Sequence, residues 1–301
     1  MDIFISTQAA YAGNRWAPYS VDGTTGGRHA VRWRSYVAVG DSFTEGMDDP
    51  RPDGLGYRGW ADLVAARLST EAIAANLNAN ADGSAGANTG FAYANLAIRG
   101  RLFNAIVDQQ VPRALAMKPD LISFAGGGND VLRRTFDPPA LADRFDKVIG
   151  TLRGSGADVI IFRWANVTTR LPGRRMILPR MEILNRSVGE VAQRHGAIMV
   201  DLWRDEDFHN PVLWSEDRLH MAPAGHRRVA AHVLTALDVV PDASWFDPPG
   251  QLERRTWLAA RARDARWARQ HLAPWVRRRL TGTSSGDTVS AKRPELSPVV
   301  D

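Results

Sequence analysis

Two short stretches of the chain hold the residue types that nucleophilic catalysis needs. Ser42 follows Gly40 and Asp41 at the end of an apolar run, and Asp217 stands three residues before His220. A serine hydroxyl becomes a useful nucleophile when an imidazole takes its proton, and the imidazole works best when a carboxylate holds its other ring nitrogen. These residues therefore predict Ser42 as a nucleophile, His220 as its base and Asp217 as the group that orients the base.

Acyl transfer also needs hydrogen-bond donors for the oxyanion of its tetrahedral intermediate. The backbone N–H groups of Ser42 and Gly100 and the side-chain amide of Asn129 follow three predicted strands. Open parallel sheets bind ligands at the carboxyl ends of their strands, so these donors are expected at the same edge of the sheet. The sequence thus predicts an oxyanion hole built from Ser42, Gly100 and Asn129.

The elements that must position these groups form a repeating pattern between residues 35 and 240. Short apolar runs alternate with longer segments of helical spacing, which indicates an α/β fold. Most of the runs are apolar throughout, as in a parallel sheet that is covered on both faces. The predicted strands span residues 35–40, 94–98, 121–126, 158–164 and 197–203, and the predicted helices lie near 58–69, 101–117, 139–153, 179–195 and 223–238.

Four sequence blocks occur in order along this region: "GDSFTEG", "NLAIRG", "GGND" and "DRLH". In this the chain resembles the SGNH (GDSL-type) hydrolases, which are named for the Ser, Gly, Asn and His of four such blocks. The resemblance implies a flavodoxin-like three-layer α/β/α sandwich with a five-stranded parallel sheet. It also implies a serine esterase that works through an acyl-enzyme on Ser42, with His220 as base, Asp217 as its partner, Gly100 and Asn129 in the oxyanion hole, and no metal or cofactor.

Each of these residues also has a structural interpretation. Ser42 could be a helix N-cap and Asp41 a residue that stabilises the turn. Gly100 could serve only as a turn glycine, while Asn129 and Asp130 could cap the helix that follows, a role we favour for Asp130. Four blocks in the right order favour the catalytic interpretation of Ser42, Gly100 and Asn129.

Other site types are disfavoured. No G-x-S-x-G elbow surrounds the serine, which argues against the common α/β-hydrolase fold. The glycines from Gly126 do not form a dinucleotide-binding G-x-G-x-x-G, because Val131 stands where the third glycine belongs. His226 and His232 follow His220 at spacings of six, about 120° apart on a helix, so they imply no metal site. The chain has no cysteine, which excludes disulfides and thiolate ligands.

The chain divides by composition into four parts. Residues 1–34 are predicted to form an arm packed on the catalytic domain of residues 35–245. Residues 246–281 are predicted to form an Arg-rich helical extension interrupted near Pro274, and residues 282–301 have the composition of a disordered tail. The N-terminus lacks a secretory signal pattern, and no window has the roughly 20 apolar residues of a membrane span. A cytoplasmic protein, free or peripheral to the membrane, is expected.

The net charge of +5 belongs to the C-terminal part. Residues 1–250 hold 27 Lys and Arg against 28 Asp and Glu, whereas residues 251–301 hold 11 against 5. The basic segment 250–281 can pack on the body with its arginines in solvent, or adsorb to an anionic membrane. Nucleic acid is a disfavoured partner because no nucleic-acid motif accompanies the charge.

The expected partner is a small-molecule ester, but the fold does not choose the substrate. Small residues in the long connection 70–93 favour a short acyl chain, and the loop 170–180, with Arg174 and Arg175, favours an anionic alcohol portion. Two alternatives stay open. One is a membrane-associated acyltransferase or lipase-like enzyme, and the other is a binding or scaffold protein of the same shape, anchored by its basic tail.

Overall fold

The computed structural model of the protein describes residues 32–81, 90–250 and 256–299. Residues 1–31, most of the predicted arm, lie outside the described residues. At the centre is a sheet with strand order β5-β4-β3-β1-β2-β6. Its strands are β1 (Ser35–Gly40), β2 (Ala92–Asn95), β3 (Leu121–Ala125), β4 (Asp158–Arg163), β5 (Ile198–Asp201) and β6 (Arg293–Pro298). Strands β1 to β5 are parallel, as predicted, and β6 adds an antiparallel edge to β2. The described sheet therefore has six strands rather than five.

Helices cover both faces of the sheet. The helices of the described ranges are α1 (Ser42–Glu45), α2 (Trp60–Ala81), α3 (Phe103–Gln109), α4 (Val111–Ala116), α5 (Gly128–Val131), α6 (Pro138–Gly154), α7 (Arg174–His195), α8 (Pro223–Ala236), α9 (Trp257–Trp267) and α10 (Ala273–Thr281). Successive β1 residues point to opposite faces, and Ala38 and Val39 accordingly belong to different buried clusters. One cluster joins the sheet to α2 and α8, and the other joins it to α3, α4, α6 and α7. These are the three layers of an α/β/α sandwich.

Two predicted loops are partly helical. Helix α2 continues to Ala81, so the first half of the expected connection 70–93 is helix, and residues 82–89 lie outside the described residues. Helix α7 begins at Arg174 and carries Pro179 inside it, where the missing N–H removes one helical hydrogen bond. Arg174 and Arg175 are exposed at the start of α7 and do not line the cleft described below, so the structure does not support their predicted contact with the alcohol portion.

The C-terminal part is ordered into helices and a strand. Helix α9 is followed by a π-helical turn over Ala268–Leu272 and by α10, whose Pro274 cannot donate a backbone hydrogen bond. Residues 282–301 were expected to be disordered, but their described part ends in strand β6. An edge strand tolerates the proline and charge that suggested disorder, and β6 contains both. None of the helices in the described ranges is long and apolar enough to cross a bilayer.

Candidate active site

Strand β1 delivers Ser42 to the carboxyl edge of the sheet. The side-chain amide of Gln110 donates to the carbonyl of Gly40 and accepts from its N–H, both at 2.9 Å, in the manner of a neighbouring strand. Asp41 then caps α1 by accepting from the N–H of Phe43 at 3.1 Å. A Cβ on Gly40 would lie 2.5 Å from Oγ1 of Thr44, so only glycine fits there. The backbone before Ser42 is therefore held on both sides.

Ser42, His220 and Asp217 form one continuous chain of hydrogen bonds. Nε2 of His220 lies 2.9 Å from Oγ of Ser42, and Nδ1 lies 2.5 Å from Oδ2 of Asp217. The second oxygen of Asp217 accepts from the backbone N–H groups of Leu219 and His220 at 2.9 Å, which fixes the carboxylate. The structure thus brings together the three side chains that the sequence predicted to act as nucleophile, base and orienting group.

Burial and the pairing of Asp217 with His220 together set the pKa values of these two side chains. Burial raises the pKa of Asp217, but the hydrogen bond and charge of His220 outweigh burial and hold that pKa well below its ordinary value. Burial lowers the pKa of His220, but Asp217 outweighs it and raises the net pKa above the usual value. With Asp217 ionised, the neutral imidazole keeps its proton on Nδ1 and leaves Nε2 free to accept from Ser42.

Asn129 lines the same cleft as Ser42 and His220. Its amide nitrogen donates to Oδ2 of Asp41 at 3.0 Å and to the carbonyl of Arg101 at 3.1 Å, so both amide hydrogens have acceptors within the protein. The neighbouring Asp130 accepts from the N–H of Phe103 at 2.9 Å, which places its carboxylate at the start of α3. Asp130 therefore has the structural role that the sequence favoured, on a different helix from the expected one.

Gly100 lies in a turn that is tied to the helix carrying Ser42. The N–H of Arg99 donates to the Glu45 carboxylate at 2.7 Å, and the Arg99 guanidinium pairs with the same carboxylate. Glu45 is buried in α1. Gly100 itself has φ of +73°, a left-handed conformation that favours glycine. The turn that would supply the second oxyanion donor is thus linked to α1 through the Glu45 carboxylate.

Sequence reasoning missed a second carboxylate beside the imidazole. Oδ2 of Asp48 lies 4.0 Å from Nδ1 of His220. Asp48 has a left-handed φ of +69°, a conformation that no sequence motif predicted. The Asp48, Asp217 and His220 ligand atoms lie within 4.8 Å of one another, a spacing that a cation could use. A cation there would have to replace the 2.5 Å bond between Asp217 and His220, so these residues fit a hydrogen-bonded pair better than a metal site.

A small apolar cavity opens beside Ser42. Its volume is about 80 Å³. Its apolar walls come from α7 and from the loops after β4 and β5, and they include Trp164, Val167, Met181, Leu202, Trp214 and Met221. The cavity therefore combines these apolar side chains with the polar groups of Ser42, Asn129 and His220.

Comparison with known proteins agrees with this geometry. The model of the GDSL-like Lipase/Acylhydrolase family matches residues 38–228, which is more than half of the chain. The chain belongs to this family. It is accordingly an ester-bond hydrolase, and this assignment replaces the alternative of a scaffold protein without turnover. Helices α9 and α10 and strand β6 lie beyond the matched region of this hydrolase.

Solved structures share the fold of this GDSL-like hydrolase. Axe2, an acetylxylan esterase from Geobacillus stearothermophilus, is 19% identical with a TM-score of 0.51, over 68% of this chain and 94% of that chain. LAE5, an alpha/beta hydrolase enzyme from the metagenome of Lake Arreo in Spain, is 20% identical with a TM-score of 0.51, over 69% of this chain and 97% of that chain. No curated protein matches the sequence.

Proposed function

We propose that this hydrolase is a serine esterase that cleaves small carboxylic esters through an acyl-enzyme on Ser42. The observation that carries the proposal is the unbroken chain of hydrogen bonds from Ser42 through His220 to Asp217. His220 takes the hydroxyl proton as Oγ attacks the ester carbonyl, and then gives that proton to the leaving alcohol. His220 next deprotonates a water that attacks the acyl-enzyme, which releases the acid and restores Ser42.

The oxyanion is stabilised in this proposal by the N–H groups of Ser42 and Gly100 and by the Asn129 amide. Asn129 must exchange one of its present acceptors, Asp41 or the Arg101 carbonyl, for the oxyanion. Such a change is consistent with catalytic hydrogen bonds that reach their final geometry only with substrate bound.

The size of the cavity supports a short acyl chain. About 80 Å³ is available beside Ser42, whereas an engineered protein cavity that admits benzene measures roughly 150 Å³. An acetyl or propionyl group fits such a space better than a six-carbon chain. The apolar walls exclude water from the acyl carbon and offer no partner for a charged acyl group.

The test is hydrolysis of p-nitrophenyl esters from acetate to palmitate by the wild type, Ser42→Ala and the control Ser244→Ala. Ser244 is exposed in a short turn after α8 and has no contact with the cleft. We expect the wild type and the control to prefer acetate over palmitate, and the rate of Ser42→Ala to fall to near the uncatalysed background. Undiminished turnover by Ser42→Ala would overturn the assignment of the nucleophile, and a preference for palmitate would overturn the short acyl pocket.

A further inference from the structure

The part of the chain beyond the family match returns to the active site. We call residues 256–299 the C-terminal extension. The family match ends at residue 228, so the extension is not part of the matched hydrolase domain. Two of its segments contact loops that carry predicted catalytic groups: one lies on the His220 side and the other on the Gly100 side.

On the His220 side, the contact is made by Trp267 at the end of α9. Its indole N–H donates to the backbone carbonyl of Asp217 at 2.9 Å. The next residue, Arg218, has a left-handed φ of +66°, which is strained for a side chain of this size. Its guanidinium lies 4.5 Å from the Trp267 ring centroid and 2.5 Å from Oδ1 of Asp264. The extension thus holds the strained turn that separates Asp217 from His220.

On the Gly100 side, the contact is made by the turn of residues 284–287. Oγ of Ser284 donates to the carbonyl of Gly100 at 3.3 Å. A Cβ on Gly100 would lie only 2.5 Å from this Ser284 Oγ. A Cβ on Gly286 would lie 2.1 Å from the carbonyl oxygen of Arg99, so the backbones are in close contact. Asp287 closes the turn by accepting from the N–H of Ser284 at 2.7 Å. This turn therefore packs directly on the peptide units around Gly100.

The extension is anchored after these contacts by Lys292. Its ammonium donates to the carbonyls of Glu45 and Arg58 at 2.6 and 2.5 Å, and it pairs with the carboxylate of Asp62. Glu45 ends α1 and Asp62 lies in the first turn of α2, so the anchor joins the extension to the helix that carries Ser42. Strand β6 follows at once and pairs with β2.

We propose that the C-terminal extension is a working part of the active site, in which Trp267 is a positioning residue for Asp217 and His220. The turn 284–287 positions Gly100 in the same way. This inference rests on the proposed roles of Ser42, His220 and Asp217. Its physical basis is preorganisation: a carboxylate, an imidazole and an oxyanion donor on separate loops act together only while their spacing is held, and a displacement of about 1 Å can cost on the order of 100-fold in rate.

The first test compares Trp267→Phe with the control Trp257→Phe in the full-length protein. Trp257 lies at the start of the same helix and is 68% exposed. We expect Trp267→Phe to lower kcat by about 10-fold with little change in KM, because it loses the donor but keeps the ring. We also expect its pH–rate profile and the downfield NMR resonance of the proton between Asp217 and His220 to change. The control should retain the wild-type values.

The NMR readout does not depend on ester turnover, so it separates this inference from the proposed function. Undiminished activity in Ser42→Ala would overturn the nucleophile and leave the effect of Trp267 on the pair measurable. An unchanged resonance, pH profile and kcat in folded Trp267→Phe would overturn the positioning role. If Trp267→Phe does not fold, Asp264→Ala tests the other contact of α9 with this turn, because it removes the exposed carboxylate that pairs with Arg218; an unchanged kcat, pH profile and resonance in that variant would overturn the positioning of Asp217 and His220 by α9.

The second test addresses the Gly100 side with Asp287→Ala and the control Glu295→Ala, an exposed acid of β6. Asp287→Ala removes the carboxylate that accepts from the N–H of Ser284, so the turn 284–287 loses the bond that closes it against Gly100. We expect a several-fold loss of kcat in Asp287→Ala with an unchanged resonance of the Asp217–His220 proton, and wild-type values in the control. Equal kcat in the two variants would overturn the role of this turn.

Discussion

The Asp48 carboxylate lies 4.0 Å from Nδ1 of His220, the same ring nitrogen that Asp217 holds at 2.5 Å. Two negative charges therefore favour the protonated imidazole, and both raise its pKa against the effect of burial. Only Asp217 has the hydrogen-bonding distance of an orienting partner. Asp48 acts on the imidazole through charge alone.

Replacing Asp48 by asparagine should move the acidic limb of the pH–rate profile to lower pH. The base must be unprotonated to act, and a raised pKa delays its deprotonation until higher pH. Removing one of the charges that raise the pKa of His220 reduces this shift, and asparagine accepts the left-handed backbone of Asp48. The measurement is kcat/KM against pH for the wild type, Asp48→Asn and Asp53→Asn, where Asp53 is an exposed acid of the same loop. A limb that stays in place in Asp48→Asn, or moves equally in the control, would contradict the prediction.

Replacing Asn129 by alanine should lower kcat by about 10²- to 10³-fold through loss of one oxyanion donor. KM should change little, because the donor acts mainly on the transition state. Steady-state kinetics on p-nitrophenyl acetate give both constants, and circular dichroism checks that the variant is folded. A loss of less than a few-fold would mean that the Asn129 amide keeps its bonds to Asp41 and the Arg101 carbonyl throughout the reaction.

His226 should make the protein sensitive to acid. It is fully buried, accepts from the N–H of Trp60 at 3.3 Å and donates to the carbonyl of Met47 at 3.0 Å, so it is held neutral. Burial lowers its pKa to about 4, whereas the pKa of an unfolded histidine is about 6.5. The unfolded chain binds a proton in this interval that the folded protein does not, so stability falls as pH drops from about 6.5 to about 4.

Urea unfolding at several pH values tests this in the wild type, His226→Gln and His209→Gln, where His209 is exposed. The wild type and the His209 control should lose stability more steeply below pH 6.5 than His226→Gln. Parallel pH dependences in all three proteins would show that another group accounts for the slope.

The sequence predicted the groups that lie within motifs. Ser42, Asp217 and His220 were found because a nucleophile after a strand and an acid three residues before a histidine are local patterns. The parallel direction of β1 to β5 followed from apolar runs in the same way. In these elements a few consecutive residues both supply the reactive side chain and determine the local backbone, so a short stretch of sequence is enough to predict them.

The remaining contributions depend on contacts between distant segments. Asp48 reaches His220 through a left-handed turn, and Gln110 reaches Gly40 from the junction of α3 and α4, so no spacing reveals either contact. The C-terminal extension was misjudged for a related reason. The composition of residues 282–301 predicted a disordered tail, but the acceptors that order Lys292 come from α1, α2 and the loop between them. Burial of a charge by distant backbone carbonyls is not encoded in local composition.

Strand β6 also determines how the sheet meets other molecules. It covers β2, whose N–H and C=O groups would otherwise form an open edge that can pair with a second chain. The covering strand carries Pro294 and Pro298, and neither can donate a backbone hydrogen bond outward. Until residues 293–298 pair with β2, the folding chain therefore exposes the unpaired edge of β2. A truncated protein that lacks these residues should aggregate through this edge even with its catalytic groups intact.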